Sequence, residues 1–347
     1  MPDNIVKSVN GITSEIKEEV DRLIFSSLPT SHPVKEIQLL YDMMREYPSR
    51  TGKGLRPTLC VLFCQAFGGD RNLAIPTAAA LELFQNWIVI HDDIEDQSEL
   101  RRGKPALHQE HGIALAINAG DALAGRMWEM LLSNCKILDE RVVLQLFSLF
   151  LEMLNRTTSG QHIELSWVEN GRWDLNEEDY MNMCRNKTAY YTCVVPMVAG
   201  ALIASYDGAS KDNSERFGLN LGTAFQIRDD ILNLVGDEAK YGKEILGDIF
   251  EGKRTLMVIH CLQHASDEDK QGFLSIMSKS RHKKSESDVY KIMEYFEKYG
   301  SIGYARNSAN SLAKLAKKQF EEMTFPGSTE AVDNLRTLID FMVNRER

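Results

Sequence analysis

Residues 81–96 read LELFQNWIVIHDDIED, an apolar run that closes on four acids within five positions. Leu81, Phe84, Ile88 and the pair Val89–Ile90 fall near the i, i+3, i+4, i+7 spacing of an amphipathic helix. On such a helix Asp92 and Asp96 share a face one turn apart, with Asp93 alongside. Carboxylates so placed repel one another, and the macrodipole at a helix C-terminus opposes them further. The arrangement costs stability unless a cation neutralises it. Magnesium suits it, being a hard ion that takes a few carboxylates together with phosphate oxygens. Taken alone, the cluster also reads as a solvated acidic helix end.

A second cluster, Asp229-Asp230-Ile231-Leu232-Asn233, lies in a helical run that carries Phe217, Leu221, Phe225 and Leu232. Two acidic clusters facing one another across a cavity would hold a diphosphate through bridging metals, a geometry suited to Lewis-acid departure of that group.

The helical period extends over most of the chain. Helices are expected near 12–26, 35–47, 55–67, 73–96, 113–134, 139–167, 177–190, 191–206, 212–235, 253–264, 268–277, 288–299, 303–323 and 328–344. Strand signals are nearly absent, and Asn10-Gly11, Asn170-Gly171 and Asp207-Gly208 mark joints between helices. The expectation is an all-α fold: one domain over residues 1–347, an antiparallel helical bundle around a deep central cavity. Residues 1–10 are expected to lack fixed structure, and the tract Ser278–Ser287 (SKSRHKKSES) reads as a solvated basic loop.

Of the 347 residues, 43% are hydrophobic and 26% charged, enough for a sizeable core. The net charge of −10 argues against a nucleic-acid partner, which would want a basic face. A phosphorylated substrate is still possible, because local lysines and magnesium can overrule the global sign. Cys60, Cys64, Cys135, Cys184, Cys193 and Cys261 form no Cys-x-x-Cys pair, which points to buried thiols in a reducing compartment rather than zinc. Met1–Lys17 lacks the apolar core of a signal peptide. No run approaches the roughly 18 uninterrupted apolar residues of a spanning helix, so no transmembrane segment and a cytoplasmic location are expected.

Three motifs together resemble the trans-isoprenyl diphosphate synthases, the family of farnesyl and geranylgeranyl diphosphate synthases. The first is His91-Asp92-Asp93-Ile94-Glu95-Asp96, followed by Arg101-Arg102-Gly103-Lys104-Pro105 and His108. The second is Phe225-Gln226-Ile227-Arg228-Asp229-Asp230. The third is Gly242-Lys243, Gly247-Asp248-Ile249 and Glu251-Gly252-Lys253-Arg254-Thr255. The resemblance runs from about Lys53 to Thr255. It implies that Asp92 and Asp96 bind two magnesium ions from one side and Asp229 a third from the other, with Asp93 and Asp230 in support. Arg101, Lys187, Lys243 and Lys253 would clamp an allylic diphosphate, lysine as a point charge and arginine bidentately. Thr188 and Gln226 would lie near the allylic cation left behind. Members of the family usually form homodimers, and the apolar helix 113–134 is the expected interface.

The acceptor half departs from the pattern. The family's Gly-Gly-Lys-Arg-x-Arg-Pro reads here Thr51-Gly52-Lys53-Gly54-Leu55-Arg56-Pro57, and Gln85 stands where the family tends to place a histidine. Isopentenyl diphosphate would then be held by Lys53, Arg56 and Arg102, with Gln85 as a neutral donor. Two alternatives stay open: a prenyltransferase on another acceptor, or a catalytically weak synthase-like partner subunit. A class I terpene cyclase fits less well, because the positions its second metal motif would need hold Asn233 and Asp237. The allylic tail should run beside the helix that ends in Asp92, so Ile88, Trp87 and Phe84, at four, five and eight positions before it, form the floor. A product of about fifteen to twenty carbons follows, geranylgeranyl diphosphate favoured over farnesyl.

Overall fold

A computed structural model describes residues 3–50, 52–205, 211–236 and 245–344. In chain order its helices are α1 (Asp3–Ser27), α2 (Lys35–Ser49), α3 (Leu55–Ala66), α4 (Arg71–Glu95), α5 (Leu107–His111), α6 (Ile113–Leu132), α7 (Glu140–Glu169) and α8 (Glu177–Cys184). They continue with α9 (Val195–Ile203), α10 (Lys211–Val235), α11 (Gly247–Glu251), α12 (Leu256–His264), α13 (Asp267–Met277), α14 (Glu286–Lys298), α15 (Ser301–Glu321) and α16 (Thr329–Val343). The expected all-α fold is the one observed.

The opening stretch forms the C-terminal part of α4. Asp70 caps this helix, its side chain accepting from the Asn72 amide at 2.9 Å. Ala74, Ala78, Ala79, Ala80, Leu81, Leu83 and Phe84 are buried along it, and their small size on one side lets neighbouring helices approach. By length and composition α4 is the one described helix apolar enough to cross a membrane, but 61% of that window is buried inside the fold. It is a central helix of the bundle.

Buried apolar side chains fall into two clusters. On α10, Phe217, Leu221 and Phe225 belong to one, and Ile227, Ile231 and Leu234 to the other. Asp229 and Asp230 therefore sit at the seam between two dry regions.

Several expectations need correction. The break expected at residue 190 does not occur: α8 and α9 are joined by a π-helical segment, Arg185–Val194, into one rod. Pro196 has no amide to donate to residue 192, so an ordinary helical register cannot run through it. Gly160 of α7 and Gly222 of α10 face this rod, where a Cβ would overlap the backbone of Lys187 and of Ala189. The chain is helical from Asp3, although residues 1–10 were expected to lack structure. A short antiparallel hairpin pairs Leu100–Arg101 with Lys104–Pro105, and Arg102 and Gly103 at its tip both take positive φ. Finally, the basic tract is not simply solvated. Arg281–Lys283 is a 3₁₀ turn, and Lys284 is buried.

Candidate active site

Asp92 on α4 and Asp229 on α10 line one cavity of about 660 Å³. Helix periodicity placed each acid on an inward face, and the seam between the two core clusters gives both faces a common space.

The second aspartate of each pair is held by a matching device. Asp93 is fully buried; it accepts from Tyr47 Oη at 2.6 Å and from Arg101 Nε at 2.8 Å. Asp230 accepts from Tyr180 Oη at 2.6 Å and from Gln226 Nε2 at 2.7 Å. Burial pushes Asp230 up to about 6, against the two hydrogen bonds that favour its charged form. Burial raises the Tyr47 hydroxyl as well, and the Asp93 carboxylate adds to that shift. The two tyrosines lie 46 and 50 residues from their partners, and nothing local in the sequence marked them.

Asp92 and Asp96 face lysines. Lys187 Nζ is 3.2 Å from Asp92 Oδ1 and also pairs with Glu164. Lys253 Nζ is 2.7 Å from Asp96 Oδ2, 2.8 Å from Glu251 Oε2 and 3.6 Å from Asp248 Oδ1. Burial alone would lower Lys187, but Asp92, Glu164 and Asp96 outweigh it and hold the lysine firmly charged. Lys253 is raised by Asp96, Glu251 and Asp248 in the same way. Burial pushes Asp96 up to about 7; Lys253 opposes the shift, and Asp92 and Glu251 add to it.

Sequence reasoning gave Glu164 no role, yet a signal existed. Val143, Leu146, Phe150, Met153, Thr157, Gly160 and Trp167 form the buried stripe of α7, and Glu164 is the charged residue within it. Glu251 stood inside the third quoted motif without an assignment.

The residues expected to hold the acceptor come together. Lys53, Arg56, Gln85 and Arg102 all line the cavity. Arg56 donates from Nη2 to Tyr191 Oη at 2.8 Å and to Thr192 Oγ1 at 2.9 Å. Arg56 Nε and Gln85 Oε1 are buried without a hydrogen-bond partner among the described residues. Arg102 donates from Nη1 to the backbone oxygens of Tyr47 at 3.2 Å and Arg50 at 2.8 Å. Gly54 has a physical reason to be glycine: it is the left-handed residue before α3, at φ +60, and a Cβ would lie 3.3 Å from the Lys17 side chain.

Arg101, Thr188, Gln226 and Lys253 also line the cavity. The Arg101 guanidinium is held by Asp93, with Nη2 3.4 Å from Asp92. Trp87 and Ile88 face the cavity, whereas Phe84 is fully buried behind them. Its ring lies 5.6 Å from Trp87 and 5.7 Å from Tyr191. Lys243 lies outside the described residues.

No three acids or histidines among the described residues form a ready-made metal cage. The donors present fit magnesium nonetheless. Asp92, Asp96 and Asp229 offer hard oxygens, the like charges of Asp92 and Glu251 press on Asp96, and diphosphate oxygens would complete the shell.

The sequence pattern of the polyprenyl synthetase family matches residues 37–296. The geranylgeranyl diphosphate synthase of Saccharolobus solfataricus is 36% identical over 296 residues, 85% of this chain and 87% of that protein. The crystal structure of geranylgeranyl pyrophosphate synthetase from Pyrococcus horikoshii superposes with a TM-score of 0.84 at 33% identity, covering 97% of this chain and 99% of the other. A polyprenyl synthase from Caulobacter crescentus, solved with calcium and isoprenyl diphosphate, superposes at 0.85 with 26% identity, covering 99% of this chain and 98% of its own.

Proposed function

As this chain belongs to the polyprenyl synthetase family, we propose that it condenses an allylic diphosphate with isopentenyl diphosphate, geranylgeranyl diphosphate being the favoured product. The observation that carries this reading is the shared cavity: Asp92 of the first pair and Asp229 and Asp230 of the second open into it, with Lys187 and Lys253 beside them.

Asp92, Asp96 and Asp229 would hold three magnesium ions. When bound, magnesium neutralises these acids and, as a Lewis acid, draws charge from the departing diphosphate. Lys187 and Lys253, already fixed by carboxylates, offer further ammonium hydrogens to the diphosphate oxygens, where negative charge grows as the bond breaks. Arg101 backs Asp92 and Asp93 in place. Gln226 gives its amide nitrogen to Asp230, so its carbonyl oxygen is the group it can turn to the allylic cation, with Thr188 alongside. Lys53, Arg56 and Arg102 would bind the acceptor diphosphate, Gln85 contributing a neutral hydrogen bond. The double bond of isopentenyl diphosphate attacks the cation, and the proton it then loses passes to the released diphosphate. Trp87 and Ile88 close the tail side and keep water from the cation.

The alternatives raised by the acceptor half lose their ground. Gly54 is accounted for by its backbone, and Gln85 lines the same cavity, where its side-chain amide nitrogen is the group able to donate to a diphosphate. The reading also carries a homodimer through α6, where Ile113, Leu115 and Ile117 leave an apolar face. A monomer mass in analytical ultracentrifugation at micromolar concentration would contradict that dimer.

The function is tested by incubating the pure protein with magnesium, isopentenyl diphosphate and, in turn, dimethylallyl, geranyl and farnesyl diphosphate, with extracted lipids identified by mass. Elongated prenyl diphosphates ending at geranylgeranyl are expected. A cyclised hydrocarbon, or no elongation from any primer, would overturn the reading.

A further inference from the structure

The basic tract Ser278–Ser287 lies outside the cavity, yet two of its cations, the buried Lys284 and the partly buried Arg281, pack against the turn that carries Lys253. Lys284 is 7% exposed and donates from Nζ to the backbone oxygen of Phe250 at 2.9 Å. Phe250 is in the last turn of α11, where carbonyls lack partners within the helix and a cation meets the negative end of the dipole. The Arg281 guanidinium lies 5.8 Å from the centroid of the Phe250 ring, and its Nη1 is 3.4 Å from Glu251 Oε1. The other oxygen of Glu251 is the one 2.8 Å from Lys253 Nζ. From the opposite side Arg254 donates to the Gly252 and Arg172 backbone oxygens while stacking on Trp173 at 3.7 Å. Gly252, at φ +74, turns the chain from α11 into Lys253.

We propose that Arg281 and Lys284 are positioning residues, which set where Lys253 presents its ammonium group to the allylic diphosphate by clamping the Phe250–Gly252 turn and by sharing Glu251. The inference rests on the reading of Lys253 as a diphosphate-binding residue. Glu251 is both a guide and a competitor for Lys253. Its carboxylate orients the ammonium, but a Glu251 paired with Lys253 alone would neutralise the charge that phosphate needs. Arg281 draws on the other carboxylate oxygen and lowers that competition. Lys284 anchors the backbone one residue before Glu251. Its burial beside Arg254 and Arg281 pushes it down to about 8, against the attraction of Asp288 and Glu251. An ammonium kept in such a place despite that cost points to a use for its hydrogen bond.

The test is steady-state kinetics at saturating magnesium, with geranyl diphosphate and isopentenyl diphosphate varied separately. Arg281→Gln is expected to raise KM for geranyl diphosphate roughly 5- to 20-fold, the range of one charge-assisted contact, and to leave KM for isopentenyl diphosphate unchanged. Arg281→Lys should restore part of the loss. In a Lys253→Ala background the same Arg281→Gln change should add less than about twofold, because its effect passes through Lys253. Equal losses in both backgrounds, or parallel rises in the two KM values, would overturn the proposal. Lys284→Met, a change of similar size at a second point of the clamp, should give the same split and keeps the test decisive if Arg281→Gln does not fold. Lys253→Ala alone separates the two readings. No change in its geranyl diphosphate KM overturns the role of Lys253 itself, whereas a large change with silent Arg281 and Lys284 variants overturns only the clamp.

Discussion

Replacing Trp87 by alanine should lengthen the product by one isoprenyl unit. Trp87 faces the cavity from α4, and Phe84, three residues earlier, is fully buried behind it. Three residues of α-helix rise about 4.5 Å, so removing the indole opens the tail side by roughly one isoprenyl unit before the Phe84 ring stops it. The change also removes the edge-to-face contact between the two rings at 5.6 Å, worth about 0.5–1.5 kcal/mol, and part of the burial of a large side chain. A total cost near the lower end of the roughly 3–5 kcal/mol for Trp→Ala in a core is expected, because Trp87 is only partly buried. The assay is single-primer elongation followed by dephosphorylation and mass identification of the alcohols. Phe84→Ala alone should change little, since the indole still covers it, while the double variant should extend the product further than Trp87→Ala. An active Trp87→Ala enzyme with unchanged product length would refute the floor assignment.

Three further outcomes follow from the packing. Gly120 of α6 sits where a Cβ would lie 2.5 Å from His91 Nε2 and in ordinary contact, at 3.5 Å, with Trp87 Cδ1; Gly120→Ala should displace the His91 ring, which packs edge-on to Trp87 at 6.3 Å, and shift the product mixture to shorter chains, seen in the same mass assay. Tyr47→Phe and Tyr180→Phe each leave a buried carboxylate short of one donor, at a cost of about 1.5–3 kcal/mol in stability by thermal or urea unfolding; a loss below about 0.5 kcal/mol would show that the hydroxyls do not matter. Lys284 predicts a pH dependence whose sign is set by its folded value of about 8 against 10.5 in the unfolded chain. Between those values the unfolded chain holds a proton that the folded chain has released, so stability rises with pH in this window. The melting temperature of the wild type should therefore climb relative to Lys284→Met between pH 8 and pH 10.5, and parallel curves would count against a buried ammonium.

What could be read without coordinates was local. Helical spacing put the acids Asp92 and Asp96 on one face, and the family resemblance of the motifs pointed to Asp229, Lys187 and Lys253. The structure then brought Asp92, Asp229, Lys187 and Lys253 to one cavity, with Asp96 paired to Lys253. The roles of the second aspartates were legible only as support. Their actual partners, Tyr47 and Tyr180, come from other helices, as a fold is needed to bring them near. The tract at 278–287 misled for a related reason. A run of charges is usually solvated, and only the arrival of α11 beneath it turns Arg281 and Lys284 inward.

From the chain alone come the all-helical class and the shared face within each acid cluster, because helix geometry fixes which neighbours three and four residues apart lie together; the cations that answer them came from the family resemblance of the motifs. Tertiary packing alone decided that Trp87 rather than Phe84 meets the cavity, that Glu164 and Glu251 hold the lysines, and that a left-handed turn explains Gly54. Those outcomes depend on which distant segments come into contact, and no spacing along one segment carries that information.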